Sequence, residues 1–498
     1  MTAKKSNAHR ENEHIVDNKE LNIWEALIPV FALVAMLAYN VYVFGDNAIS
    51  GSNQFILLMG GAVAAIVGFF NKVSYKQMLA EVAENVKSTT GALLILLMVG
   101  ALAGTWLVSG IIPAMIYYGL QILNPTIFLA ACIIICAIIS IATGSSWTTA
   151  ATVGIALIGI GDALGISPGM TAGAVLSGAY FGDKMSPLSD TTNLAPAMAG
   201  GDLFGHIRYM TYTTVPTITV TLIVFIIIGL NLETTGVADT ESILSSIEAT
   251  FNINGWLFLV PLVVILLIVK KAPPLMALLI GTLLGGAFAL FFQPDIVASL
   301  TGAKELTFEN GYKGILNAIT INTTIATDNP ALNDLFSAKG MAGMLGTIWL
   351  IVCAMVFGGI MDGIGALSRI TTALLGLAKT TFGLFASTVG SCIALNITAS
   401  DQYLAIVVPG KMFAKAYKDR GLAPENLSRT LEDSGTVTSV LIPWNTCGAY
   451  HSGVLGVSVA DYFFYAIFNW LSPMVTLTFA ALKIKIKQLS ESPASSVA

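Results

Sequence analysis

The sequence predicts an all-α polytopic membrane protein, organised as two repeats that contain broken helices. Three observations carry that reading: the composition, a series of long apolar segments, and polar interruptions that recur in pairs. Of 498 residues, 55% are hydrophobic and only 11% are charged, whereas a soluble domain carries about 25% charged residues. The mean hydropathy is +0.78. A spanning helix needs about 20 mainly apolar residues. Segments of this kind lie at 24–44, 55–70, 91–109, 126–142, 211–230, 255–270, 274–292, 348–364 and 461–482.

Taken in order, residues 1–22 are polar and charged, with no short apolar core or small-residue cleavage site. They read as a cytosolic disordered tail and not as a signal peptide. A first transmembrane repeat is expected over 23–230, a polar linker over 231–254, a second repeat over 255–485 and a C-terminal tail over 486–498. Lys4, Lys5 and Arg10 precede the first span, and Lys72, Lys76 and Lys87 follow the second. The connection GDNAISGSNQ between those spans contains no Lys or Arg. Lys270 and Lys271 follow the acidic linker and its next span, and Lys483, Lys485 and Lys487 end the last span. Positive charge marks the cytoplasmic side. Both termini are therefore expected there, in a multi-pass protein of the cell inner (cytoplasmic) membrane with lipid as its constant partner. The basic run GKMFAKAYKDRG, 410–421, reads as an amphipathic segment on the membrane surface.

Several function classes drop out on composition and motif. A net charge of −5 is mild and implies no nucleic-acid partner. No GxxxxGK[ST] loop is present, so nothing suggests an ATP-driven pump. Cys132, Cys136, Cys353, Cys392 and Cys447 are scattered through apolar segments and read as small packing residues. GISPG, 165–169, matches GxSxG, but the proline after Ser167 lacks the N–H that an oxyanion hole needs. A channel would want a continuous polar pore, whereas these polar residues cluster at paired interruptions.

The interruptions are the informative part. GDKMSPLSDTTNLAP, 182–196, lies between apolar stretches and has a counterpart in LEDSGTVTSVLIPWN, 431–445. Aligning Pro196 with Pro443 sets Thr191 and Thr192 over Thr438 and Ser439. Earlier in each half, TGSSW, 143–147, echoes TASDQ, 398–402, with Thr143, Ser145 and Ser146 over Thr398, Ser400 and Asp401. Matched, interrupted helices in two halves point to a transporter binding site. Backbone freed from a helix must be satisfied within protein or in a water-filled cavity. Its carbonyls, with hydroxyl, amide and carboxylate oxygens, can replace the water of a small hard cation.

The candidate cation ligands are Thr143, Ser145, Ser146, Asp190, Thr191, Thr192 and Asn193 in the first half. In the second half they are Asn396, Thr398, Asp401, Ser434, Thr436 and Thr438. Intramembrane carboxylates are costly, and one that binds sodium when ionised and a proton when neutral could couple the two ions. Asp190 and Asp401 lead as proton-coupling groups, followed by Asp433, with Asp183 divided between that role and a structural ion pair beside Lys184. Any single hydroxyl here could equally bond its own helix. His206 and His451 could tune a pH response or serve as interfacial hydrogen-bonding groups. Trp147 and Trp444, beside the breaks, could line a pocket, with packing as the default reading.

At these residues the sequence resembles the NhaC family of Na+/H+ antiporters. The resemblance is carried by GAYFGDKMSPLSDTTNLAPAMAGGDLFGHIRYM, 178–210, with TGSSW and LEDSGTVTSVLIPWNTCGAY in support, and it extends over most of the chain. It implies secondary active exchange of Na+ for H+, with both as transported ions and no cofactor. It also implies two inverted repeats with re-entrant hairpins, and a homodimer. Because relatives exchange malate and lactate, the alternative is a Na+/H+-coupled exchanger of small organic anions. Lys184 keeps that alternative open.

Overall fold

A computed structural model describes residues 21–44, 51–122, 124–232, 240–270, 272–327, 333 and 336–489. Residues 1–20 and 490–498, most of the two expected tails, lie outside the described residues. The described residues are predominantly helical. The first half comprises α1 (Ile23–Phe44), α2 (Ser52–Phe70), α3 (Tyr75–Val108), α4 (Ile111–Ile122) and α5 (Pro125–Thr143). There follow α6 (Ser146–Thr149), a π-helical turn (Ala150–Gly154), α7 (Ile155–Ala163), α8 (Pro168–Met185), α9 (Asp190–Ala199) and α10 (Leu203–Asn231). Next come α11 (Thr240–Thr250), α12 (Leu259–Val269), α13 (Pro274–Phe292), α14 (Pro294–Ser299) and α15 (Phe308–Thr320). A minimal antiparallel pair, β1 (Thr323–Thr324) with β2 (Ser337–Ala338), joins α15 to α16 (Gly340–Gly343).

The remaining helices are α17 (Leu345–Gly363), α18 (Ala366–Gly376), α19 (Thr381–Thr398), α20 (Gln402–Asp419) and α21 (Pro424–Leu431). A second π-helical segment (Glu432–Thr436) and a 3-10 turn (Ser439–Leu441) lead into α22 (Thr446–Leu455), α23 (Val459–Tyr462) and α24 (Ile467–Ala481).

Among the described residues, eight helices are long and apolar enough to cross a membrane. They include seven of the segments expected from hydropathy, and add Thr381–Thr398, whose polar residues hide it in the sequence. Two expectations change. The segment 255–270 forms a bent unit with α11, at 89°, so the expected polar linker contains a helix. That helix turns Ile243 and Ile247 into the core. The segment 461–482 is not one span: it divides into α23 and the 15-residue α24. The basic run 410–421 falls mostly on α20, which exposes Lys411, Lys415 and Lys418 and buries Phe413 and Tyr417.

Packing relies on close backbone approach. Lipid tails are as apolar as leucine, so helix association in a membrane depends on van der Waals fit and small residues. Gly178 and Gly182 of α8 lie directly on α5, where an added Cβ would collide with the carbonyls of Ile133 and Ala137. Gly104 of α3 meets the Ala318 carbonyl of α15 in the same way.

One charged contact ties the two halves together. Lys184, near the end of α8, forms an ion pair with Asp433 of the second π-helical segment, and both side chains are wholly buried. Asp433 also accepts hydrogen bonds from Thr213 of α10 (2.9 Å) and from Ser472 (3.0 Å) and Thr476 of α24. Lys184 donates to Ser472 Oγ at 3.2 Å. The pairing option raised beside Asp183 thus belongs to Lys184 and its distant partner. Removing one member of a buried pair leaves an uncompensated charge and costs about 3–5 kcal/mol, whereas removing both is often nearly neutral. Lys184→Met is therefore expected to lower the thermal unfolding midpoint in micelles sharply. The double variant with Asp433→Asn should recover most of that loss. Additive losses in the double variant would show that the pair does not act as a unit.

Candidate functional site

Four helix starts converge on one region, and each is made by a side-chain cap. Helix α5 ends at Gly144, whose φ of 70° is left-handed. Ser145 is then extended (φ −153°, ψ 116°), and its hydroxyl accepts from the Thr148 N–H at 3.1 Å to start α6. The second half repeats the geometry. After α19, Ser400 is left-handed (φ 59°), and Asp401 is extended (φ −139°, ψ 133°). Asp401 Oδ1 accepts from the N–H groups of Tyr403 (2.8 Å) and Leu404 (3.0 Å). Such caps satisfy donors that a helix start otherwise leaves without partners.

The following turns also correspond. Ser189 (φ −70°, ψ 136°) caps α9 and Asn445 (φ −71°, ψ 147°) caps α22, each two residues after a proline, Pro187 or Pro443. Pairing Gly144 with Ser400, Ser145 with Asp401, Pro187 with Pro443 and Ser189 with Asn445 uses a single offset in residue number. That register replaces the alignment of Pro196 with Pro443 and of Ser145 with Ser400. Strings of Ser and Thr can slide over one another, whereas a left-handed residue followed by a cap cannot.

The breaks and turns enclose a cavity of about 660 Å³. Its polar wall includes Thr143, Ser145, Asp183, Asp190, Thr191 and Asp401 from the expected residues. Ser88, Thr89, Gln402, Tyr403 and Thr446 join them without having been singled out in the sequence. Asp183 Oδ2 accepts from Ser146 N (3.1 Å) and Ser146 Oγ (2.7 Å), so the first helix start points at this carboxylate. Asp183 and Asp401 are nearly buried, while Asp190 is exposed. Three carboxylates and several hydroxyls thus face one water-accessible space. Among the described residues no three His, Cys, Asp or Glu side chains group as a metal centre. The chemistry on offer is oxygen coordination of a hard cation.

The other expected residues lie behind that wall. Thr192 Oγ1 donates to the carbonyls of Asp183 (3.2 Å) and Lys184 (3.1 Å), and Asn193 Nδ2 donates to those of Pro187 (2.9 Å) and Ser189 (2.7 Å). Asn396 Nδ2 donates to Gly435 O (2.8 Å) and Thr438 Oγ1 (3.0 Å). Thr398, Ser434 and Thr438 donate to carbonyls one turn back, those of Ala394, Thr430 and Ser434. Thr436 is buried in the π-helical segment, and Asp433 is occupied by Lys184. None of these lines the cavity. Lining the cavity opposite residues 182–196 are the Asp401 break and Thr446, while the stretch 431–445 meets residues 182–196 behind that wall, through Asp433 with Lys184 and Glu432 with Thr191.

The aromatic groups form a wall of their own. Trp147 stacks on Tyr450 at 4.0 Å, and His451 and Tyr180 pack beside them. Both histidines near the motifs are fully buried within the protein, and each makes a hydrogen bond. His206 Nδ1 shares a 2.8 Å hydrogen bond with Ser428 Oγ, and His451 Nδ1 with Cys447 O at the same distance. Of the residues missed in the sequence, Ser88 and Thr89 had a visible signal, a polar SerThrThr trio opening an apolar run. Gln402, Tyr403 and Thr446 carry none by themselves and enter the cavity wall only because they start α20 and α22.

Comparison with known proteins identifies the family. Residues 178–484 match the Na+/H+ antiporter family. The chain is 37% identical to the Na+/H+ antiporter NhaC of Alkalihalophilus pseudofirmus, over 85% of this chain and 89% of that protein. It is 36% identical to the malate-2H+/Na+-lactate antiporter of Bacillus subtilis, over 90% and 91% of the two chains. It is also 32% identical to the arginine/ornithine antiporter ArcD of Halobacterium salinarum, over 98% of both. The chain therefore belongs to the NhaC family of Na+/H+ antiporters, and it is a multi-pass protein of the cell membrane.

Proposed function

We propose that the protein exchanges Na+ for H+ across the cytoplasmic membrane as a secondary active antiporter. The observation that carries this reading is the meeting of Asp183, Asp190 and Asp401 on one cavity at two capped helix breaks. Sodium gives up its water only when protein oxygens replace it. Here Asp183, Asp401, Ser145 and Thr143 supply oxygens from both halves, and a carboxylate that releases sodium can take up a proton at the same place. The matched left-handed and cap residues support two inverted repeats with re-entrant elements. The exposed lining residue Ser88 adjoins Lys87 in the chain, and Pro273 follows Lys270 by three residues. By the positive-inside rule the cavity then opens to the cytoplasm.

A second reading, coupled exchange of a small organic anion of the malate or lactate type, is favoured by the cavity volume, which far exceeds that of a bare ion. Against it, Lys184 is buried in its pair with Asp433, and among the described residues the cavity wall presents carboxylates and no Lys or Arg. Exchange of sodium for protons is the better match to that wall.

Purified protein in liposomes, with a pH dye inside, tests both readings against sodium, malate and lactate gradients. Asp183→Asn and Asp401→Asn are each expected to reduce sodium-driven pH change roughly tenfold or more, with insertion and yield retained. Wild-type exchange in both would remove these carboxylates from the mechanism. The position of each hydroxyl generates a separate expectation. Ser145→Ala, which removes a cap facing the cavity, should raise the apparent sodium Km. Thr438→Ala, whose hydroxyl bonds behind the wall, should leave it within about twofold, as expected for a site distant from the ligand. Equal effects would mean that the hydroxyls act only through folding.

A further inference from the structure

We propose that Glu432 is a proton-binding residue of the exchange cycle, reached from the cavity through the Ser189 and Thr191 hydroxyls. The inference rests on the antiport reading and adds a group that faces no solvent. Glu432 is fully buried in the π-helical segment Glu432–Thr436, a geometry common at functional sites. Its Oε1 accepts from Thr191 Oγ1 at 2.9 Å. Thr191 Oγ1 lies 3.1 Å from Ser189 Oγ, and both residues line the cavity. The second oxygen, Oε2, has no hydrogen-bond partner among the described residues.

The contrast with the adjacent Asp433 decides the assignment. Asp433 has a lysine and three hydroxyls, the coordination an ionised carboxylate needs when buried. Glu432 has one hydroxyl and no ion pair among the described residues. That environment suits the neutral acid, and ionisation there requires relief from elsewhere. The titratable groups around it are Asp183 and Lys184 on α8 and Cys392 on α19, with Asp433 next in the chain and Arg429 three residues before it. Lys184 is committed to Asp433, and the Arg429 guanidinium sits over the Tyr209 ring at 4.6 Å. Thr436 faces Glu432 from the same segment, outside hydrogen-bond geometry. Asp190 and Asp401 face the cavity instead.

Proton transfer along this route balances without a further reactant. A proton from cavity water adds to the Ser189 hydroxyl, which passes its own hydrogen to Thr191. Thr191 in turn passes its hydrogen to Glu432 Oε1, so the carboxylate becomes the acid and both hydroxyls are regenerated. The reverse sequence returns the proton. Glu432 then adds a proton site one hydroxyl chain away from the cavity carboxylates that trade sodium for a proton.

The test compares two fluxes in liposomes holding the full-length protein: sodium-driven pH change, and exchange of labelled sodium for unlabelled sodium at constant pH. Glu432→Gln is expected to lose sodium–proton exchange roughly tenfold or more while retaining sodium–sodium exchange. Glu432→Asp, which keeps an acid one methylene farther from Thr191, should recover part of the proton flux with a displaced pH profile. Wild-type proton flux in Glu432→Gln, or parallel loss of both fluxes in folded protein, overturns the proposal. If Glu432→Gln does not fold, Glu432→Asp decides: an undisplaced pH profile overturns the assignment. If the wild-type protein moves no protons against sodium, it is the antiport reading that fails, and the two failures remain distinct.

Discussion

The structure depends on one constraint: within a membrane every backbone N–H and C=O must find a partner inside the protein. A continuous helix meets it automatically, and a broken one does not. Each break here is closed by a side chain that takes over the N–H groups of the next helix: Ser145, Asp401, Ser189 and Asn445. Those caps allow the chain to turn at depth. They also gather polar residues in the interior, which apolar solvent would otherwise exclude. The cavity follows from the caps, since hydroxyls and carboxylates placed to satisfy backbone also face the space between the breaks.

Charge is sorted by the same logic. Asp433 and Lys184 neutralise one another and, with hydroxyls from α10 and α24, hold the halves in register. Asp183 and Asp401 keep a face toward the cavity while their remaining capacity is met by N–H and O–H donors. Acids of the same type thus divide into ion-paired and cavity-facing groups by the donors around them. A carboxylate with a permanent cation cannot easily trade that cation for sodium, whereas one facing a cavity can.

Rigid packing gives the arrangement its precision. Helix α8 carries Asp183 and Lys184 on successive residues. One side chain reaches the cavity and the other reaches Asp433. The close approach of Gly178 and Gly182 to α5 fixes that division, because a bulkier residue at either position would lift α8 from its neighbour and displace both groups.

Much of this was legible in the sequence. Composition and hydropathy determined a polytopic helical protein, because lipid tolerates little else. The pairs TGSSW with TASDQ and 182–196 with 431–445 marked where helices break, since Ser, Thr, Asn and Asp at depth have few other uses. The strings located the breaks without fixing their register, which depends on backbone geometry at Gly144 and Ser400. Only the tertiary structure decided which acid meets which partner. Asp433 and Asp401 look alike along the chain, yet one meets Lys184 across nearly half the sequence and the other meets the N–H groups of its own helix. Adjacency in sequence controls caps, because a cap bonds residues two or three positions away. Pairing and cavity lining are set by helix packing between distant segments, and no local pattern encodes that.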